Sequence, residues 1–167
     1  MLIPVNAYNS GEEPAMRVSK VMTCDVQSCD PQTDLETVAM QMWNGDCGSI
    51  PVMGEEGMPV GMITDRDIAM AGALQNRALR DIRTCDVING HDMQYCMTDD
   101  TIEAALAIMA SRHVRRLPVI DETGTLKGVL SIDNIVTSAE RGKRGQGKPD
   151  LSFEDAMDTL KAICTHH

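Results

Sequence analysis

The chain is expected to fold as a mixed α/β (α+β) module of two β-α-β-β-α repeats, and three observations lead there. Gly61-Met62-Ile63-Thr64-Asp65-Arg66-Asp67-Ile68 is an apolar run ending in Thr and two Asp, the pattern of a buried strand turning into a helix. Gly128-Val129-Leu130-Ser131-Ile132-Asp133-Asn134-Ile135 repeats it. Pro118 follows Pro51 by 67 residues, and that offset without gaps pairs Asp25 with Asp92, Gln27 with Gln94, Cys29 with Cys96, Gly57 with Gly124 and Gly61 with Gly128. Neither unit alone is large enough to bury its sheet face, so the two must pack on each other.

Residues 1–17 read as an N-terminal arm and residues 18–78 as the first repeat. Residues 24–29 form a short extended segment closed by Asp30-Pro31. Thr33 stands three residues before Glu36, a capping-box pattern, and Leu35, Val38, Ala39 and Met42 give the following helix one apolar face that ends at Gly45. Residues 49–53 read as a strand in which Pro51, lacking an N–H, should take a strand end or a place without a ladder partner. Residues 54–57 turn the chain, residues 60–63 return, and a helix should run from about Asp65 into Ala78. Residues 79–88 connect to the second repeat, residues 89–140, where Asp100 takes the capping position of Thr33. Residues 141–150 are a basic Gly-rich linker, and residues 151–167 a C-terminal helix and tail that docks on the module or on a second subunit.

Composition narrows the function. A formal net charge of −10 argues against broad binding to nucleic acid or anionic membrane. Aromatic residues are 2% of the chain, too few for a base-stacking surface, and 13 Met leave the core adaptable. No run of 18 apolar residues and no secretory signal occurs, so a cytoplasmic protein with reduced thiols is expected. The sequence contains no Walker-type loop and no recurring nucleophile and base constellation, and no enzyme activity is expected.

Two units, each with an apolar-apolar-Pro strand, a Gly-led strand and a Thr/Ser-x-x-Asp/Asn corner, resemble a tandem pair of CBS (cystathionine beta-synthase-type) domains over residues 18–140. Thr64-Asp65-Arg66-Asp67-Ile68, residues 113–119 and Lys161-Ala162-Ile163-Cys164 resemble the stand-alone bacterial CBS-pair proteins of the hypoxic-response type. The resemblance implies a pseudo-twofold module, non-catalytic and regulatory, with clefts between the repeats for an adenosyl ligand such as AMP, ADP, ATP or S-adenosylmethionine. It implies a first site at Thr64 and Asp67 with Ile50 nearby, and a second at Ser131 and Asn134 with Leu117. It further implies a homodimer whose long apolar helices form the interface, and an unknown regulated protein as partner.

Physical chemistry supports the same residues. A helix N-terminus presents unpaired N–H groups, a hydroxyl adds a donor, and a carboxylate one turn on accepts from ribose. The same residues are also what an N-cap needs, so a ligand-free structural or stress-response dimer is the alternative. Asn134 carries no charge and accepts through one oxygen, so the second site should bind more weakly or take a different ligand. Arg112, Arg115 and Arg116 stand beside the second Pro strand, where they either clamp phosphates or pair with surplus carboxylates. If they clamp, polyphosphates should prefer this side. Cys29 and Cys96 share one repeat position and allow a thiol or metal redox sensor, although a strand Cys is more often a small buried hydrophobe. The four His lack metal-ligand spacing, and no metal site is expected.

Overall fold

The structure, a computed structural model, describes residues 15–88, 93–140, 149 and 151–165. The first repeat contains α1 (Leu35–Asn44), β1 (Ser49–Met53), β2 (Pro59–Thr64) and α2 (Asp65–Leu74). The second contains β3 (Cys96–Met97), α3 (Ile102–Arg112), β4 (Arg116–Ile120), β5 (Leu126–Ser131) and α4 (Ile132–Ser138), and α5 (Phe153–Cys164) follows. Among the described residues no helix is long and apolar enough to cross a membrane. The expected arm at residues 1–14, the start of the second repeat at residues 89–92, most of the basic linker and His166-His167 lie outside the described residues.

The repeat is visible in the pairing. β1 and β2 run antiparallel, with Pro51 opposite Met62, and β4 and β5 do the same with Pro118 opposite Val129. Both hairpins carry an irregularity at the same step, between Val52 and Met53 and between Val119 and Ile120. Pro51 therefore sits in mid-strand rather than at an end, its carbonyl accepting from the Cys29 N–H. The leading strand is β3 in the second repeat, parallel to β4, but in the first it shrinks to the single bridge between Cys29 and Val52.

The caps of α1 and α3 differ from expectation by one residue, while those at Thr64, Ser131 and Ser152 fall as expected. Asp34 caps α1 by accepting from the Thr37 N–H, and Thr101 caps α3 by accepting from the Ala104 N–H. Thr33 instead closes the turn before the helix, accepting from the Asp30 N–H at 3.2 Å, as Asp100 accepts from the Met97 N–H at 2.8 Å. α2 stops at Leu74, short of Ala78, because the chain turns at Asn76 with φ 50° and folds Leu79 back over Gly72.

Apolar residues collect in two clusters. Leu35, Val38, Ile50, Val52 and Ile63 centre the first, and Ile102, Met109, Leu117 and Leu130 the second. Burying one such side chain contributes roughly 1.5–3 kcal/mol. The repeats are tied by exchanging their leading segments. Val18 and Val21, expected in the first repeat, are buried in the second core, where the Val18 N–H donates to the Asp100 carbonyl at 2.9 Å. Ile82, from the connector, is buried in the first core, and its carbonyl accepts from the Leu35 N–H at 3.0 Å. α5 completes the second core with Ala156 and Ile163, packing chiefly on α3 and also on α4. The equivalent face of α1 and α2 has no such cover among the described residues.

Candidate functional site

Both strand-to-helix corners close as reciprocal capping boxes. At the first, the Thr64 N–H and hydroxyl donate to Asp67 Oδ2 at 2.9 and 2.7 Å, and the Asp67 N–H donates back to Thr64 Oγ1 at 3.2 Å. At the second, the Ser131 N–H and hydroxyl donate to Asn134 Oδ1 at 2.9 and 2.7 Å, and the Asn134 N–H donates to Ser131 Oγ at 3.1 Å. The hydroxyl proton of each corner is thus spent on its own box. The boxes differ in what remains. Among the described residues Asp67 uses Oδ2 for its bonds and not Oδ1, whereas Asn134 also commits its amide nitrogen, donating to Thr23 Oγ1 at 3.1 Å.

Thr23 reaches Asn134 because residues 16–23 cross onto the second repeat. The N–H groups of Thr23 and Val129 each donate to the other's carbonyl, at 2.9 and 3.0 Å. Gly128 makes the crossing possible: a β-carbon there would stand 2.3 Å from the Thr23 carbonyl oxygen. Beyond the crossing, a cleft of about 460 Å³ opens between residues 23–27, the loop 45–49 and the second corner. Ser131 and Asn134 line it together with Arg116. Asp25 and Asp46 line it too, each in the left-handed backbone region with φ 55° and 47°, a conformation that costs a residue with a β-carbon.

The sequence-derived residues separate in space. Ser131, Asn134 and Arg116 share this cleft. Arg115, expected beside Arg116, turns away, its guanidinium donating weakly to the Cys164 thiol of α5 at 4.0 Å. Ile50 and Leu117 have no exposed surface, and their side chains belong to the two cores. Thr64 and Asp67 occupy the other corner, away from this cleft. Thr23, Asp25, Gln27, Asp46 and Asp133 are lining residues that reading the sequence for phosphate chemistry passed over. For Asp25 and Gln27 the signal was the repeat itself, since they recur as Asp92 and Gln94; Thr23, Asp46 and Asp133 do not recur at that offset.

A second cavity, an apolar groove of about 660 Å³, runs between α1 and α2. Trp43, 82% exposed, stands on its rim, and Asp46, Cys47 and Gly48 line both groove and cleft. One loop is therefore the wall between them.

The paired thiols lie apart from both cavities. Burial pushes the Cys96 thiol up to about 12, with the Asp100 charge adding to the effect. Burial also raises Cys29, against a hydrogen bond with Thr84. Cys29 sits in the first core and Cys96 in the second, so the shared repeat position does not bring them into one cluster. Among the described residues no group of three or more His, Cys, Asp or Glu side chains is placed to hold a metal ion.

Two repeats with exchanged leading segments, capped corners and a cleft between them define the class. The chain belongs to the CBS domain family, whose pattern matches it twice, over residues 18–73 and 79–140. It is similar to the solved Hypoxic Response Protein I, which carries two coordinated zinc ions, at 25% identity and a TM-score of 0.67, covering 75% of this chain and 100% of that one. It shares its fold with the CBS domain pair of protein MJ0100, in complex with 5′-methylthioadenosine and S-adenosyl-L-methionine, at 18% identity, a TM-score of 0.65 and coverage of 74% and 95%. CBSX2 in complex with AMP is similar at 22% identity, a TM-score of 0.62 and coverage of 74% and 95%.

Proposed function

We propose that this protein is a non-catalytic cytoplasmic regulator that binds an adenosyl ligand, of the class AMP, ADP, ATP or S-adenosylmethionine, between its repeats. The observation that carries the reading is the cleft at Ser131 and Asn134, whose walls come from both repeats. A ligand held there touches residues 23–27, the loop 45–49 and the second corner together, so it favours whichever arrangement of the repeats fits it better. The Asp46-Cys47-Gly48 loop passes that change to the α1/α2 groove.

The groove is read as the face of a homodimer. Trp43 and Leu74 are 82% and 74% exposed, and on the second repeat α5 already covers α3. A twofold interface needs a self-complementary patch, and a groove with a large apolar side chain on its rim is one. A separate regulated protein receives the signal.

The ligand-free structural reading draws on a different observation, the closure of both capping boxes by the chain's own side chains and backbone. Thermal shift and calorimetry with AMP, ADP, ATP and S-adenosylmethionine separate the two. Ligand binding is expected to raise the melting temperature of the wild type and to fail in a Ser131→Ala, Asn134→Ala variant. No response of the wild type to any of the four transfers the assignment to the structural reading.

A further inference from the structure

We infer that the cleft at Ser131 selects an adenosyl ligand without phosphate, neutral or cationic at its 5′ end, and that Asp133 sets this selectivity. The inference rests on the adenosyl-binding reading above and narrows it.

Among the described residues, the charged side chains lining the cleft are three carboxylates, Asp25, Asp46 and Asp133, and one guanidinium, Arg116. Arg115, which would have balanced them, is engaged with Cys164 on α5. Arg116 itself has a carboxylate close by. A β-carbon placed on Gly48 would lie 3.8 Å from Arg116 Nη2 and 3.2 Å from Asp65 Oδ2, so the two groups flank the same glycine. The cleft volume of about 460 Å³ is smaller than the cube of the screening length, which is about 8 Å at physiological ionic strength. A phosphate bound beside these side chains lies within about one screening length of them.

The corner adds to the effect rather than relieving it. α4 has only 7 residues, and its first turn already holds Asp133, which satisfies the positive end of the helix with an internal anion. The same position in the first repeat, 67 residues earlier, is Arg66 on the 10-residue helix α2. At this one position the first repeat offers a cation where the second offers a carboxylate, although Asp65 and Asp67 also stand in the first turn of α2. This selectivity runs against the preference of polyphosphates for the second side that Arg112, Arg115 and Arg116 suggest in the sequence, because Arg115 turns to Cys164 and Asp65 stands near Arg116. A phosphate-free nucleoside loses nothing to the carboxylates, and a cationic one gains.

The Asn134 side-chain amide lies in this cleft, so its NMR resonance reports on this site alone. The full-length protein is titrated with 5′-methylthioadenosine, S-adenosylmethionine, AMP and ATP while that resonance is followed. The two phosphate-free ligands are expected to bind at least about tenfold tighter than ATP, with the gap narrowing as salt rises. Asp133→Arg is expected to improve AMP and ATP by a similar factor and leave 5′-methylthioadenosine within about threefold. Asp133→Asn provides the same test in a smaller step should the arginine disturb the fold. ATP binding as tightly as 5′-methylthioadenosine, or an AMP affinity unmoved in both variants, overturns the selectivity and leaves the adenosyl reading standing. An Asn134 resonance unmoved by all four ligands overturns both.

Discussion

The Asn134 side-chain amide donates to the Thr23 hydroxyl at 3.1 Å, joining residues 111 positions apart and fastening the leading segment of the chain to the corner of the second repeat. A carboxylate at position 134 could close the capping box but could only accept from the Thr23 hydroxyl, reversing the direction of this bond. Thr23→Val is expected to destabilise the protein by about 1 kcal/mol in urea unfolding, the ordinary net worth of a hydrogen bond. In an Asn134→Ala background, which has no side-chain partner for Thr23, the same change should cost close to nothing. Equal costs in both backgrounds would remove the clasp from the account.

Two glycines separate steric need from conformational need. At Gly128 a β-carbon would collide with backbone, 2.3 Å from the Thr23 carbonyl oxygen. At Gly57 there is open space but φ is +75°. Gly128→Ala is expected to cost about 3 kcal/mol or more, since backbone has to move, and Gly57→Ala about 1 kcal/mol from the left-handed conformation alone. Denaturant midpoints at constant m-value check the order, and the reverse order refutes it.

Acid should loosen the first helix through Asp34. Hydrogen bonds from Thr37, backbone first and then hydroxyl, hold the Asp34 carboxyl below its ordinary value, with the Arg83 charge assisting. A lowered folded-state value contributes stability that is present above the unfolded value, about 3.9, and is lost as pH falls through the folded one. Asp34→Asn keeps a capping oxygen but cannot titrate, so it should leave neutral stability nearly unchanged and flatten the loss of stability below about pH 4. An unchanged acid slope in the variant would assign the sensitivity elsewhere.

Thiol chemistry divides the cysteines. Cys24, Cys47, Cys85 and Cys164 are exposed, while Cys29 and Cys96 are buried, Cys96 with its thiol pushed up to about 12. The thiolate is the reactive form, so a thiol reagent at pH 8 should label the four exposed cysteines of the native protein, with Cys29 and Cys96 following only on unfolding. Rapid native labelling of Cys29 and Cys96, located by mass spectrometry, would restore the redox-sensor reading that their burial in separate cores opposes.

Trp43 tests the dimer. A charge at the rim of the α1/α2 groove is incompatible with a buried apolar interface, so Trp43→Glu is expected to convert a dimer to a monomer in analytical ultracentrifugation while leaving the monomer folded. An unchanged mass at the same concentration moves the interface to another face.

The duplicated corners, the prolines and the glycines at one offset were enough to determine the fold class, the CBS-pair organisation and the residues of both capping boxes, because local patterning repeated twice is hard to satisfy any other way. The one-residue error at Thr33 and Asp100 has the same local origin: either of two adjacent polar residues can cap, and the tertiary position of the preceding turn chooses between them. The tertiary structure alone decided which residues meet in the cleft. Val18 and Val21 leave their own repeat for the second core, which carries Thr23 to Asn134 and brings Asp25 to the mouth. Arg115 and Arg116 are neighbours in sequence, yet one turns to Cys164 and the other into the cleft. Contacts between segments far apart in the chain, and the opposite directions of adjacent strand side chains, leave no local pattern to read. They arise only when the two repeats close on each other.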